Sequence, residues 1–244
     1  MLSRHAFGQL LPSADVPSEM PLMNQQTDKA TDALFCTGFC LIWYAITLIV
    51  GMPPLHAVLM ESGLLMPVLC LLEFCVLVPL YCWYSRRYAN IALGELRVRG
   101  SIVFSLLLLA LIFTQSFWLL RESWTATQLS GGEQLAPWRT LAFSLAVIVL
   151  APVVEEIVFR GFLLQALITA LPGQRLVCTL LTSLIFAGLH TQYVHLQTLI
   201  ALTALSLLLC LARFYSGGLK LPIALHMLNN FIGVAPWLWL TFFH

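Results

Sequence analysis

The chain has 244 residues, of which 60% are hydrophobic and only 9% charged, and its formal net charge is +1. An ordinary soluble domain carries roughly a quarter charged residues, so with a mean hydropathy of +0.90 a soluble globular fold does not fit. The near-zero charge, with no basic cluster, also argues against a nucleic-acid partner.

Residues 1–32 are polar and contain Pro12, Pro17 and Pro21. They lack the basic head and apolar core of a cleavable signal, so they read as a disordered tail ahead of a single membrane domain, 33–244. A helix needs about 20 apolar residues to cross a bilayer. The first run, 33–50, has no charge, and the second, 63–84, is interrupted only by Glu73. His56 and Glu61, between them, read as a solvated loop. The segment 85–99 alternates apolar and basic residues, so it is either an interfacial segment or a solvated loop. The third run is 101–120.

The fourth run extends from about residue 140 to 171, too long for one perpendicular helix, so it tilts, bends at Pro152 or extends past the membrane. The run 176–212 contains no Asp and no Glu and holds two spans, with a turn near "HTQYVHLQ"; the last run is 221–243. Barrel strands would alternate over about ten residues, and these runs do not. The expectation is an all-α polytopic transmembrane bundle of about seven spans, with a site buried between helices.

All seven cysteines lie within apolar runs and none forms a C-x-x-C pair, so they read as packing residues. With the N-terminus in the cytoplasm, Arg86, Arg87, Arg97, Arg99, Arg175, Arg213 and Lys220 fall inside, whereas Arg121 and Arg139 fall outside and His244 ends outside. The expectation is an integral membrane protein with a cytoplasmic N-terminus, in the bacterial inner membrane. Trp118, Trp124, Trp237 and Trp239 near span ends fit interfacial anchoring.

The polar residues at bilayer depth carry the functional signal, because an intramembrane charge costs several kcal/mol. The stretch "APVVEEIVFR", 151–160, places Glu155, Glu156 and Arg160 in the fourth span. Residues four apart share a helix face, so Glu156 and Arg160 can pair within the helix. Glu155 points elsewhere, with Phe159 on its own face, and must meet another helix. Span five ends in "SLIFAGLH", where Phe186 and His190 share a face. Span seven contains "ALHMLNNF", where His226 and Asn230 share a face with Asn229 beside them. Interhelical glue suits Ser, Thr or Asn, since such hydrogen bonds average under about 1 kcal/mol. It does not suit an unpaired glutamate with two histidines. A carboxylate and an imidazole in a desolvated pocket can activate water, and a second His with an Asn amide can hold a developing oxyanion.

At these residues the sequence resembles the CPBP family, which comprises the CAAX prenyl endopeptidases and the bacterial Abi-type glutamic intramembrane proteases. The family patterns E-E-x-x-x-R, F-x-x-x-H and H-x-x-x-N read here as "EEIVFR" at 155–160, "FAGLH" at 186–190 and "HMLNN" at 226–230. The resemblance covers roughly 138–235. It implies that Glu155 is the catalytic base acting with His190, that His226 and Asn230 stabilise the oxyanion, and that Glu156, Arg160 and Phe186 support them. It implies no cofactor, and a membrane-bound or lipidated peptide substrate, met within the bilayer. Three alternatives stand beside it. A zinc-dependent version would use two His and a Glu as ligands, although no H-E-x-x-H is present. A non-catalytic immunity or scaffold protein would use the polar set for structure. A proton-coupled carrier would use Glu155 as a relay, although no paired halves are evident. Glu73 reads as an isolated buried carboxylate or as part of an access path, and His195 as a surface residue. One tension follows from the spans. His190 falls near the outer end of span five, while His226 is six residues from Lys220.

Overall fold

The computed structural model describes residues 22–88, 91–118 and 137–243. Among these the chain forms eight helices and no strand. They are α1 Leu22–Val50, α2 Leu55–Ser62, α3 Leu65–Tyr88, α4 Val98–Gln115, α5 Pro137–Ala170, α6 Arg175–Leu189, α7 Leu196–Ser216 and α8 Lys220–Phe243. Six of them are long and apolar enough to cross a membrane; α6 has only 15 residues. At 1.5 Å per residue α6 is about 22 Å long, shorter than a bilayer core. The expected helix pair in 176–212 is present, with the break at residues 190–195. Trp124, Arg121 and His244, and the first 21 residues of the expected tail, lie outside the described residues.

The bundle reverses the usual polarity of a soluble fold. Its exterior is apolar, with Leu34, Leu106, Phe113, Leu184 and Phe243 all exposed. Its interior buries Glu156, Arg160, Thr182, Ser183, Ser206 and His226. α5 is the central element. It packs against α1, α3, α6, α7 and α8, through Phe39, Tyr84 and Phe162 on one side and Leu77, Phe159 and Phe186 on another.

Two parts of the chain differ from the sequence reading. α1 begins at Leu22, inside the stretch expected to be a disordered tail. Asp32 explains part of this, because it is buried and accepts hydrogen bonds from the Tyr84 hydroxyl and from Gln165 Nε2. The segment after α3 is exposed over most of 92–99, as a surface-lying or solvated stretch would be, but it is anchored to the bundle. Ile91 is fully buried, and the chain from 92 to 95 runs beside the α7–α8 turn. Leu219 N–H donates to Ala92 O at 3.2 Å and Lys220 N–H donates to Leu93 O at 2.9 Å. Gly94 has φ +70°, and a Cβ there would meet the Gly218 backbone at 2.6 Å, so two backbones touch where only glycine fits. A sequence reading of alternating basic residues does not reveal this contact.

Candidate active site

The site is built on irregularities in α5. The stretches Ala146–Leu150 and Glu156–Leu163 follow the wider π-helical turn, a form that concentrates at functional sites. The first has a local cause. The Ala151 N–H bonds Ala146 O, five residues back. The next residue, Pro152, has no N–H. The Val147 carbonyl therefore loses its donors at both i+4 and i+5. Asn230 of α8 replaces them, since its Nδ2 donates to Val147 O at 2.9 Å. Asn229 Nδ2 in turn donates to Asn230 Oδ1 at 3.1 Å. The expected bend at Pro152 is thus a change of helical pitch that clamps α8 to α5.

Glu156 and Arg160 lie in the second π stretch and are both fully buried; Arg160 Nη1 donates to Glu156 Oε1 at 2.8 Å. Arg160 Nη2 donates to Ser206 Oγ of α7 at 2.8 Å, and the guanidinium lies 4.7 Å from the centroid of the Phe186 ring. Glu156 is not confined to its own helix. The same Oε1 accepts from His226 Nδ1 at 2.7 Å. The i,i+4 spacing foreshadowed the Arg160 pairing; nothing local in the sequence pointed to His226 or Ser206 as partners.

Glu155 faces the other way, one-fifth exposed. Its Oε2 lies 3.9 Å from His190 Nε2 and 3.8 Å from His226 Nε2. Those separations are too long for direct hydrogen bonds, and this oxygen has no hydrogen-bond partner among the described residues. His190 caps the end of α6, and its Nδ1 is 2.7 Å from Phe186 O. A carbonyl can only accept, so Nδ1 carries the proton and Nε2 of the neutral ring is an acceptor facing Glu155. His226 is held in the same way, with Nδ1 on Glu156 and Nε2 towards Glu155. Phe186, fully buried, packs at the centre, with its ring centroid 4.5 Å from that of His190 and 5.0 Å from that of Phe159.

The depth conflict between His190 and His226 resolves in these contacts. α6 has only 15 residues, and the Nε2 atoms of His190 and His226 both lie within 4 Å of the same Glu155 oxygen. The start of α8 is tied by Lys220 to the tucked segment at Leu93, with Leu219 and Leu221 buried.

Two cavities meet at Glu155. One, of about 290 Å³, runs between α1, α2, α3 and α5, and includes Thr47, His56, Glu73, Glu155 and His190 in its lining. The other, of about 240 Å³, lies towards α8 and includes Phe143, Val147, His190, His226 and Asn230. Glu73 is buried and accepts from Thr47 Oγ1 at 3.0 Å. The access-path alternative for Glu73 therefore matches its position. His56 belongs to α2 and lines the first cavity, not a solvated loop; Glu61, also on α2, is exposed. His195 stands at the N-cap of α7, half-buried. The seven cysteines are all unpaired thiols. Among the described residues no three His, Cys, Asp or Glu side chains are grouped as metal ligands are.

Residues 137–232 match the model of a protein family described as type II CAAX prenyl endopeptidase Rce1-like. Over these residues the chain is similar to the CPBP family. Among curated proteins, the chain is 39% identical over 90 residues to an uncharacterized 24.3 kDa protein of Escherichia coli, covering 37% of this chain and 42% of that protein. It is 30% identical over 117 residues to the membrane-embedded CAAX protease MroQ of Staphylococcus aureus (strain USA300), covering 43% of this chain and 46% of that protein. The chain thus spans less than half the length of the curated relatives it matches. No solved structure matches it. The family match falls on α5 to α8, the helices that supply Glu155, Glu156, Arg160, His190, His226 and Asn230.

Proposed function

We propose that this protein is a CPBP-type, glutamic intramembrane endopeptidase that hydrolyses a peptide bond with a water held between Glu155 and His190. The observation that carries the reading is the orphaned Glu155 Oε2, flanked by two imidazole Nε2 atoms at 3.9 and 3.8 Å where the two cavities meet. Those gaps suit one shared water. With His190 Nε2 and Glu155 Oε2 both accepting, the water's two hydrogens are directed away from the scissile carbonyl and its lone pair towards it. Glu155 takes one proton as the C–O bond forms, and returns it to the leaving amine as the C–N bond breaks.

The developing oxyanion needs donors. His226 already uses Nδ1 on Glu156, so it serves as an imidazolium whose Nε2–H points into the site. In that form Glu155, Glu156, Arg160 and His226 sum to zero charge. Asn230 commits one amide hydrogen to Val147 O and has a second for the oxyanion. Glu156 and Arg160 then act as positioning residues for His226.

Large parts of the site wall are apolar, and the bundle exterior is apolar, so the substrate class is a membrane-bound or lipidated peptide. Arg175 and Arg213 line one cavity, Lys220 N–H bonds Leu93 O and Glu95 N–H bonds Ser216 O, so the helix ends bearing Arg97, Arg175, Arg213 and Lys220 lie at one end of the bundle. This supports a cytoplasmic N-terminus in a bacterial inner membrane. No cofactor enters the reaction as proposed. The test is cleavage of candidate membrane and lipidated peptides by the purified protein in liposomes. Product formation by the wild type and none by Glu155→Gln supports the reading; equal cleavage by both ends it.

A further inference from the structure

A third cavity, of about 240 Å³, lies between α5, α6 and α7 and shares no lining residue with the two cavities at Glu155. It is lined by Arg160, Gln165, Arg175 and Arg213, together with apolar residues that include Ile168 and Phe214. Three guanidiniums thus face one cavity whose lining holds no carboxylate. Arg160 is 1% exposed, and its Nε is buried without a hydrogen-bond partner among the described residues; the same is true of Arg213 Nε. The other contacts of Arg160, to Glu156, Ser206 and the adjacent Cys210 thiol, leave its Nε without an acceptor. Arg175 is exposed, and its guanidinium lies 6.0 Å from the Phe214 ring centroid. Gln165 donates to Asp32 at 3.4 Å, and Asp32 is itself held by Tyr84.

Arginine does not neutralise, and a buried charged N–H without an acceptor is costly. The group that satisfies several guanidinium forks at once is a multi-oxygen anion. The cavity is several times the roughly 30 Å³ share of one water in the liquid. We infer that this cavity is a binding site for a phosphate-like oxyanion, gripped by Arg175 and Arg213 and backed by Arg160. Arg213 belongs to the last turn of α7 and Arg175 to the first turn of α6, so the site opens at the basic end of the bundle. Lipid headgroup phosphates and free phosphate can both reach that end. Because Arg160 also holds Glu156, an occupant there braces the helix that carries both glutamates. The inference does not depend on proteolysis.

The test is thermal unfolding of the purified full chain in two arms. One titrates inorganic phosphate in neutral detergent at constant ionic strength, balanced with chloride. The other compares vesicles of phosphatidylcholine alone with vesicles containing phosphatidylglycerol. The expected result is a saturable rise in Tm in at least one arm, with its midpoint weakened about tenfold or more in R175Q/R213Q. R97Q, an exposed arginine paired with Glu95, should respond as the wild type does. A response to phosphate assigns a free oxyanion; a response to phosphatidylglycerol alone assigns a headgroup. If the double variant does not fold, the exposed Arg175→Gln alone carries the decision and must weaken the midpoint. No saturable rise in either arm, an unchanged midpoint in the arginine variants, or an equal loss in R97Q overturns the site.

Discussion

Glu156→Gln separates charge from shape at the centre of the bundle. Glu156 Oε1 accepts from both Arg160 Nη1 and His226 Nδ1, at 2.8 and 2.7 Å, and both the glutamate and the arginine are fully buried. Glutamine keeps the volume and one acceptor oxygen but leaves the guanidinium without its counter-charge. Removing one partner of a buried pair costs about 3–5 kcal/mol. The folded-to-unfolded ratio of the variant should therefore fall by roughly a hundredfold or more relative to wild type. Arg160→Met alone leaves the carboxylate uncompensated and should cost a similar amount. In the double variant neither charge remains, so the sum should not be reached; recovery of about 2 kcal/mol or more over additivity is expected. Activity should behave differently. His226 loses its carboxylate in both the single Gln variant and the double, so peptide cleavage stays low even where stability returns. The assay is a double-mutant cycle read by unfolding in detergent and by cleavage rate on the same preparations. A Glu156→Gln protein as stable as wild type, or strictly additive losses, would refute the charge argument. Full cleavage by the double variant would refute the positioning role.

Other outcomes follow from the same geometry. Asn230→Ala orphans the Val147 carbonyl and should cost about 1–3 kcal/mol; Pro152→Ala supplies an N–H to that turn, so the combined variant should lose less than the sum, as measured by unfolding. Gly218→Ala drives a Cβ into the Gly94 backbone and should lower Tm sharply or abolish accumulation of folded protein, whereas Ala at Gly38, which has open space around its Cβ, should be tolerated. The proposed reaction uses no metal, so cleavage should be unchanged by chelators; loss of activity on chelation with recovery on added zinc would replace the water-activating pair with a metal centre.

The helical class and the span limits were legible because apolar runs of bilayer length have few other solutions. The geometry of the candidate site was legible in part. Helical periodicity separates Glu155 from Glu156 and pairs Glu156 with Arg160, a local relation. It cannot show that His226 bonds Glu156 through Nδ1 while its Nε2 faces Glu155, since that depends on how α8 docks on α5. Pro152 did carry a readable signal, because a missing N–H frees a carbonyl, but its use by Asn230 is a long-range contact. The tucked segment at Ile91–Glu95 was hidden for a different reason. Its charged side chains suggest water, while the burial of Ile91 and the Gly94–Gly218 contact are properties of backbone approach. His56 and Glu73, seventeen residues apart in sequence, come together only because α1, α2 and α3 enclose one cavity with Glu155.

The central claim is that Glu155 and His190 together activate water. It is tested most directly by single-turnover cleavage with Glu155→Gln and His190→Ala, each checked for unfolding temperature against wild type. The expected result is a loss of about 10²- to 10⁴-fold for each variant, with Tm little changed and the double variant no slower than the worse single. Cleavage near the wild-type rate by folded Glu155→Gln, or losses that simply multiply in the double variant, would contradict it.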